Sequence, residues 1–309
     1  METPETPSGL AILALELLGI VIDWVDTTSL PVFPFVCRRW REALAVHRRL
    51  RGTRKRKNGK RLYRGSTYMA ALIRRCMPDL AMWAHALGAP LADGACREIA
   101  VTGDLDLLRW ARSKAACWGW ETCAEAAKGG HLEMLRWARA NGCPWNTWVC
   151  ASAAEGGHLE VLKWARTNGC QWDRRACTNA AERGHLDVLK WATANDCPWN
   201  EWTCAFAARG GHLDVLRWAR ANGCPWDKWT CIYAADGGRL EVLKWARANG
   251  CPWDEWACAE AARGGHLETL KWLRANGCPW DRWTRDRAGQ SGNAEVIAWV
   301  RANECPLPW

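Results

Sequence analysis

The chain has 309 residues, a formal net charge of +9, 17 cysteines and 25 tryptophans. Glu2 and Glu5 oppose a secretory leader, which starts basic. The apolar run Leu10 to Ile22 is too short to span a bilayer and contains Glu16. No membrane partner is expected. An intracellular location is expected, cytoplasmic with the nucleus open, where cysteines stay reduced.

Residues 8–50 are expected to form a small helical bundle. The order Leu13-Ala14-Leu15-Glu16-Leu17-Leu18, then Val25-Asp26, Ser29-Leu30 and Val36-Cys37-Arg38-Arg39-Trp40-Arg41 resembles an F-box. Ala14 stands where that family usually has proline, and Pro31 and Pro34 interrupt the middle. The resemblance implies docking on a Skp-family adaptor of a cullin-type ubiquitin ligase. Carried over residue by residue, the adaptor-binding set is Leu13, Leu15, Leu17, Leu18, Leu30, Val36 and Trp40. Packing onto the repeats that follow is the other way to bury these leucines.

A basic linker is expected over residues 51–64. From Arg38 to Arg64 there are 13 Lys or Arg against one acid, Glu42, a local charge of +12. The rest of the chain therefore sums to −3, and the overall charge is no argument for nucleic-acid binding. Arg54, Lys55, Arg56, Lys57, Lys60 and Arg61 fit a nuclear-localisation signal or an anion-binding patch. They equally fit a solvated linker held extended by like charges.

From Gly65 to the end the chain repeats. Nine tryptophans stand 27 residues apart: Trp83, Trp110, Trp137, Trp164, Trp191, Trp218, Trp245, Trp272 and Trp299. Periods of 20–50 residues build stacked arrays whose units pack on their neighbours. In one unit Leu213, Val215, Leu216, Trp218 and Ala219 form a helical stripe, Gly223 is a C-cap signal and Pro225 stops the helix from resuming. The short Ala- and Cys-rich stretch Thr203 to Ala208 makes a first helix, closed by Gly210-Gly211. Helix, turn, helix, loop is expected throughout, with no sheet.

Ala207-Ala208, Gly211-His212-Leu213, Val215-Leu216 and Asn222-Gly223 resemble the ankyrin repeat. That unit usually runs about 33 residues, so the projecting β-hairpin is expected to be reduced or absent. The fold class expected is all-α: an F-box-like bundle, then an ankyrin-like helix-turn-helix solenoid of about nine repeats over 65–309, with degenerate terminal repeats as caps. Arg285 replaces a core cysteine in the last one.

Most cysteines fall in two rows of the repeat, Cys143 to Cys305 in the loop and Cys123 to Cys258 in the first helix. Six residues separate them, against two to four for structural zinc pairs, so packing is expected and no metal or other cofactor. The recurring histidines, His131, His158, His185, His212 and His266, yield to Arg239 and Asn293 without breaking the period, which indicates a scaffold role. No nucleophile–base set or phosphate loop stands apart from the repeat. Neither an enzyme nor a small-molecule substrate is expected.

Two further tryptophan rows, Trp145 to Trp280 after Cys-Pro or Cys-Gln and Trp148 to Trp283 at the helix start, suit inter-repeat packing or interface anchors. Target contacts are expected where the copies disagree. One such row is Lys128, Glu155, Glu182, Arg209, Asp236 and Arg263. Another is Thr147, Arg174, Glu201, Lys228, Glu255 and Arg282. A third contributes Phe206 and Tyr233 as aromatic anchors. Solvated drift is the alternative for each row.

The expected function is protein–protein interaction: a receptor that joins an unidentified target protein to the ubiquitin ligase. Alternatives are an ankyrin-type scaffold with no ligase link, and a nucleic-acid or acidic-surface binder acting through the basic linker, which no nucleic-acid motif supports. Overall the chain is similar to F-box and ankyrin proteins of giant DNA viruses of amoebae, which implies action on a host's ubiquitin machinery.

Overall fold

The computed structural model describes residues 65–74, 76, 78–86, 91, 93–303 and 305. The F-box-like segment, the basic linker and their predicted residues lie outside the described residues. The chain divides into two compact units, Met1–Pro144 and Trp145–Trp309.

All regular structure among the described residues is helical, and the helices come in pairs. The first unit holds α1 (Gly65–Arg74) with α2 (Pro78–Ala86), α3 (Ala95–Thr102) with α4 (Leu105–Ser113), and α5 (Trp120–Lys128) with α6 (Leu132–Ala140). The second holds six pairs. They are α7 (Thr147–Gly156) with α8 (Leu159–Thr167), α9 (Arg174–Arg183) with α10 (Leu186–Ala194), and α11 (Glu201–Gly210) with α12 (Leu213–Ala221). Then come α13 (Lys228–Asp236) with α14 (Leu240–Ala248), α15 (Glu255–Arg263) with α16 (Leu267–Ala275), and α17 (Arg282–Ser291) with α18 (Ala294–Ala302). Within each unit a first helix packs on its own second helix and on the first helices of adjoining pairs. This is the expected helix-turn-helix stack. The connection between Ala194 and Glu201 contains no strand, as the shortened loop required.

The pair α11/α12 shows why the sequence folds this way. Asn200, extended at φ −157, accepts the Trp202 N–H on its side chain and so caps α11. The buried side of α11 is Thr203, Cys204, Ala205, Ala207 and Ala208, all small, which lets helices approach closely. Gly211 turns the chain at φ 88, a left-handed value that a β-carbon disfavours. Helix α12 buries Val215, Leu216 and Ala219. Its end is closed by the Asn222 side-chain amide donating to the Trp218 carbonyl at 2.8 Å and by the Cys224 N–H donating to the Ala219 carbonyl at 3.0 Å.

The cysteine rows are core. In every described pair of the second unit the loop cysteine is buried. Its thiol donates to the carbonyl of the residue that caps its own first helix, as in Cys224 to Asn200 at 3.4 Å and Cys251 to Asp227 at 3.3 Å. The helix cysteine points at the same loop: Cys231 reaches the Cys251 carbonyl at 3.9 Å. In the last pair Arg285 makes that contact instead, donating to the Cys305 carbonyl at 3.1 Å.

The histidines are structural too. Nε2 of His185, His212 and His266 lies 3.1, 3.0 and 2.9 Å from the carbonyl oxygens of Glu155, Glu182 and Asp236, one repeat earlier. Arg239 makes the same bond from Nε to the Arg209 carbonyl at 3.1 Å, and Asn293 donates to Gly265 at 3.1 Å. Imidazole and guanidinium thus bond the same carbonyl of the preceding repeat, and the Asn293 amide bonds one two residues further on, so each keeps a tie between repeats.

The loop tryptophans bridge second helices. Trp226 lies under the Arg220 guanidinium, 4.3 Å from its ring centroid, and meets Trp245 at 5.8 Å with the planes 64° apart. The same pairing recurs at Trp172 with Arg166 and Trp191, and at Trp253 with Arg247 and Trp272. These aromatics pack between repeats, as expected for that row.

Candidate protein-binding face

The first helices of the second unit expose one stripe each. Burial of Thr203, Cys204, Ala205, Ala207 and Ala208 leaves Trp202, Phe206 and Arg209 outward, spaced four and three residues apart on one side of α11. Aligned stripes on α7, α9, α11, α13, α15 and α17 make a grid of three rows.

The row near the helix starts reads Trp148, Arg175, Trp202, Trp229, Trp256 and Trp283. Its members touch across repeats: Trp202 and Trp229 at 5.9 Å, Trp256 and Trp283 stacked at 6.2 Å. Where the row breaks, Arg175 fills the slot. Its guanidinium lies 4.1 Å from the Trp148 centroid and is held by Asp173, whose carboxyl the Arg175 hydrogen bond keeps below the usual range. Trp148, Trp229 and Trp283 nonetheless remain 40%, 36% and 43% exposed. Packing explains only part of this row, because the shortened loop has no hairpin to cover it.

The middle row is Ser152, Asn179, Phe206, Tyr233, Glu260 and Arg287. Phe206 and Tyr233 meet at 5.5 Å and join Trp202 and Trp229, each 5.9–6.0 Å from Tyr233, in one aromatic cluster on α11 and α13.

The row at the helix ends contains Glu155, Glu182, Arg209, Asp236 and Arg263, and the structure ties it together. Arg183 pairs with Glu155 at 3.0 Å, Arg209 with Glu182 at 3.8 Å and with Asp236 at 3.2 Å. Arg263 also pairs with Asp236, and with Glu260 at 2.5 Å. Glu260 holds Arg287 at 3.5 Å. The charge alternation that marks this row in the sequence is complementary within the protein. Lys128 ends α5 in the other unit.

Thr147, Arg174, Glu201, Lys228, Glu255 and Arg282 are the opening residues of α7 to α17. Lys228 reaches Asp254 at 2.8 Å, and the Thr147 hydroxyl accepts from Arg175 at 3.0 Å. This row and the helix-end row sit at opposite ends of the first helices, roughly 12 Å apart at 1.5 Å per residue. They do not converge, and the aromatic cluster lies between them.

Two features escaped the sequence reading although their signals were present. An Asn or Asp follows most Pro-Trp dipeptides and caps each first helix of the second unit, as Asp227 caps α13. An Arg six residues earlier stacks on the loop tryptophan at Trp118, Trp172, Trp226, Trp253 and Trp280, and Thr193 takes that place before Trp199. The face offers aromatic, cationic and carboxylate contacts.

Among the described residues the fold is an all-helical array of paired-helix repeats. A family model described as ankyrin repeats (many copies) matches residues 177–220, and an F-box domain model matches residues 10–51. The chain thus carries F-box and ankyrin-repeat segments, both protein-interaction modules. The crystal structure of the human ASB11 ankyrin repeat domain is similar at 18% identity and a TM-score of 0.43, covering 57% of this chain and 96% of that one. No curated protein matches the chain in sequence. No helix among the described residues is long and apolar enough to cross a membrane.

Proposed function

We propose that the protein is a substrate receptor of a Skp-cullin-F-box ubiquitin ligase. The F-box segment engages the adaptor through Leu13, Leu15, Leu17, Leu18, Leu30, Val36 and Trp40. The exposed face of the first helices holds the target protein. One observation carries the reading: the F-box match covers residues 10–51, the stretch that holds the Leu-rich start and the Val36 to Arg41 close, and it stands ahead of an array built for recognition. Co-purification tests this. The intact chain captures a Skp-family adaptor with its cullin, and Leu17→Asp or Trp40→Ala weakens capture. A folded chain that captures neither leaves the plain scaffold reading.

A further inference from the structure

An open groove of about 630 Å³ runs along the ends of α9, α11, α13 and α15. Four guanidinium groups line it, from Arg183, Arg209, Arg239 and Arg263, against two carboxylates, Glu182 and Asp236. Asp236 is only 12% exposed and is shared by Arg209 and Arg263. Arg183 turns to Glu155.

Arg239 is different. Four other repeats of this unit place a histidine there, His158, His185, His212 and His266, and the last places Asn293. Arg239 keeps the inter-repeat bond through Nε. The rest of its exposed guanidinium has no carboxylate partner among the described residues. A permanent cation therefore stands where its neighbours present an imidazole or an amide, and the scaffold does not need the charge.

The groove adjoins the aromatic cluster. The Arg209 guanidinium lies 5.8 Å from the Tyr233 ring, and Phe206 and Tyr233 occupy the middle row on the same two helices, α11 and α13. No other described column of that row carries an aromatic residue. Aromatic anchors and the unpaired arginine thus break the repeat side by side.

We propose that groove and cluster form one docking site for an extended acidic segment of a partner protein. This rests on the receptor reading and names the chemistry of its target. An aromatic or large aliphatic side chain of the segment lies on Trp202, Phe206, Trp229 and Tyr233. Carboxylates three or four residues away pair with Arg239 and share the exposed Arg183 guanidinium with Glu155, since an extended chain covers about 3.3 Å per residue and the helix-length span is roughly 12 Å. Guanidinium forks bind carboxylates in a bidentate manner.

The test selects a phage-displayed random dodecapeptide library on the intact chain and measures the winning peptides by fluorescence polarisation. The expected consensus is an aromatic or leucine three or four residues from paired Asp or Glu. Arg239→His, Phe206→Ser and Tyr233→Asn borrow residues that other repeats carry at the same positions, so the fold is retained. Each weakens binding on the order of tenfold, and replacing the peptide's acids with amides does the same. A basic consensus, no consensus, or winners indifferent to these variants overturns the proposal. So does a phosphoserine version that binds when the carboxylate version does not. Adaptor capture by the same variants stays unchanged. Its loss in the wild type, with peptide binding intact, defeats the ligase reading alone.

Discussion

His212 is the N-cap of α12, and its Nε2 reaches back one repeat to lie 3.0 Å from the carbonyl oxygen of Glu182, in the last turn of α9. The bond satisfies a backbone acceptor at a helix end and fixes the second helix of one pair against the first helix of the pair before. His212→Ala removes it at about 1 kcal/mol. His212→Arg costs less, since Arg239 already fills that role. Urea denaturation of the two variants checks the order. A smaller loss for alanine than for arginine contradicts the assignment.

Trp226 is held between the Arg220 guanidinium and Trp245. Trp226→Ala removes an aromatic contact and a stacked cation in one step. It is half-buried, so the expected cost is roughly 2 kcal/mol, below that of a fully buried tryptophan. Trp283→Ala, on an exposed ring, costs less. Denaturation midpoints measured side by side decide whether the loop row carries more stability than the helix-opening row.

Ala115 sits at φ 58 in the turn after α4, where equivalent turns place Gly142, Gly169 or Gly223 at φ 82–83. A β-carbon in that region costs on the order of 1 kcal/mol. Ala115→Gly is therefore expected to stabilise the first unit by up to that amount, against the usual penalty for adding glycine. A fall in its melting temperature refutes this.

Burial pushes the Cys96 thiol up to about 11 from an ordinary value of 9.0. Cys204 rises further, through its hydrogen bond with Cys224 and then burial. A thiol whose folded pKa is raised stays neutral in the fold after it ionises in the unfolded chain. Its stabilisation is full below the unfolded pKa and is lost as pH rises from about 9 toward 11. Urea midpoints should fall over that window, and Cys96→Ala should shrink the fall. Among the described cysteines, exposed Cys76 and Cys117 should alkylate first.

Much of the repeat was legible because its signals are local. The 27-residue tryptophan spacing, Gly223 and the Val215-Leu216-Ala219 stripe determine the helix pairs, since each acts within one or two turns of chain. The cysteine rows were legible as packing from their six-residue spacing, and the histidine row as scaffold because Arg239 and Asn293 left the period intact. The ion-pair ladder was hidden. Arg209 and Asp236 lie one full repeat apart, and only the stacking of α11 against α13 brings a guanidinium to that carboxylate. The exposure of Trp229 was hidden for a related reason: it depends on what the shortened loop fails to cover, a property of packed repeats. Arg239 was visible as a tolerated replacement, but its lack of a carboxylate partner emerges only when every neighbouring acid has been assigned.

The receptor reading stands on the N-terminal segment, and one measurement addresses it most directly. A purified Skp-family adaptor is titrated into the intact chain and into its Leu17→Asp variant by isothermal calorimetry, with circular dichroism on both to verify the helical fold. The account predicts saturable one-to-one binding to the intact chain, lost in Leu17→Asp and unchanged in Arg239→His. A folded intact chain that shows no heat of binding, or binding that survives Leu17→Asp, contradicts it.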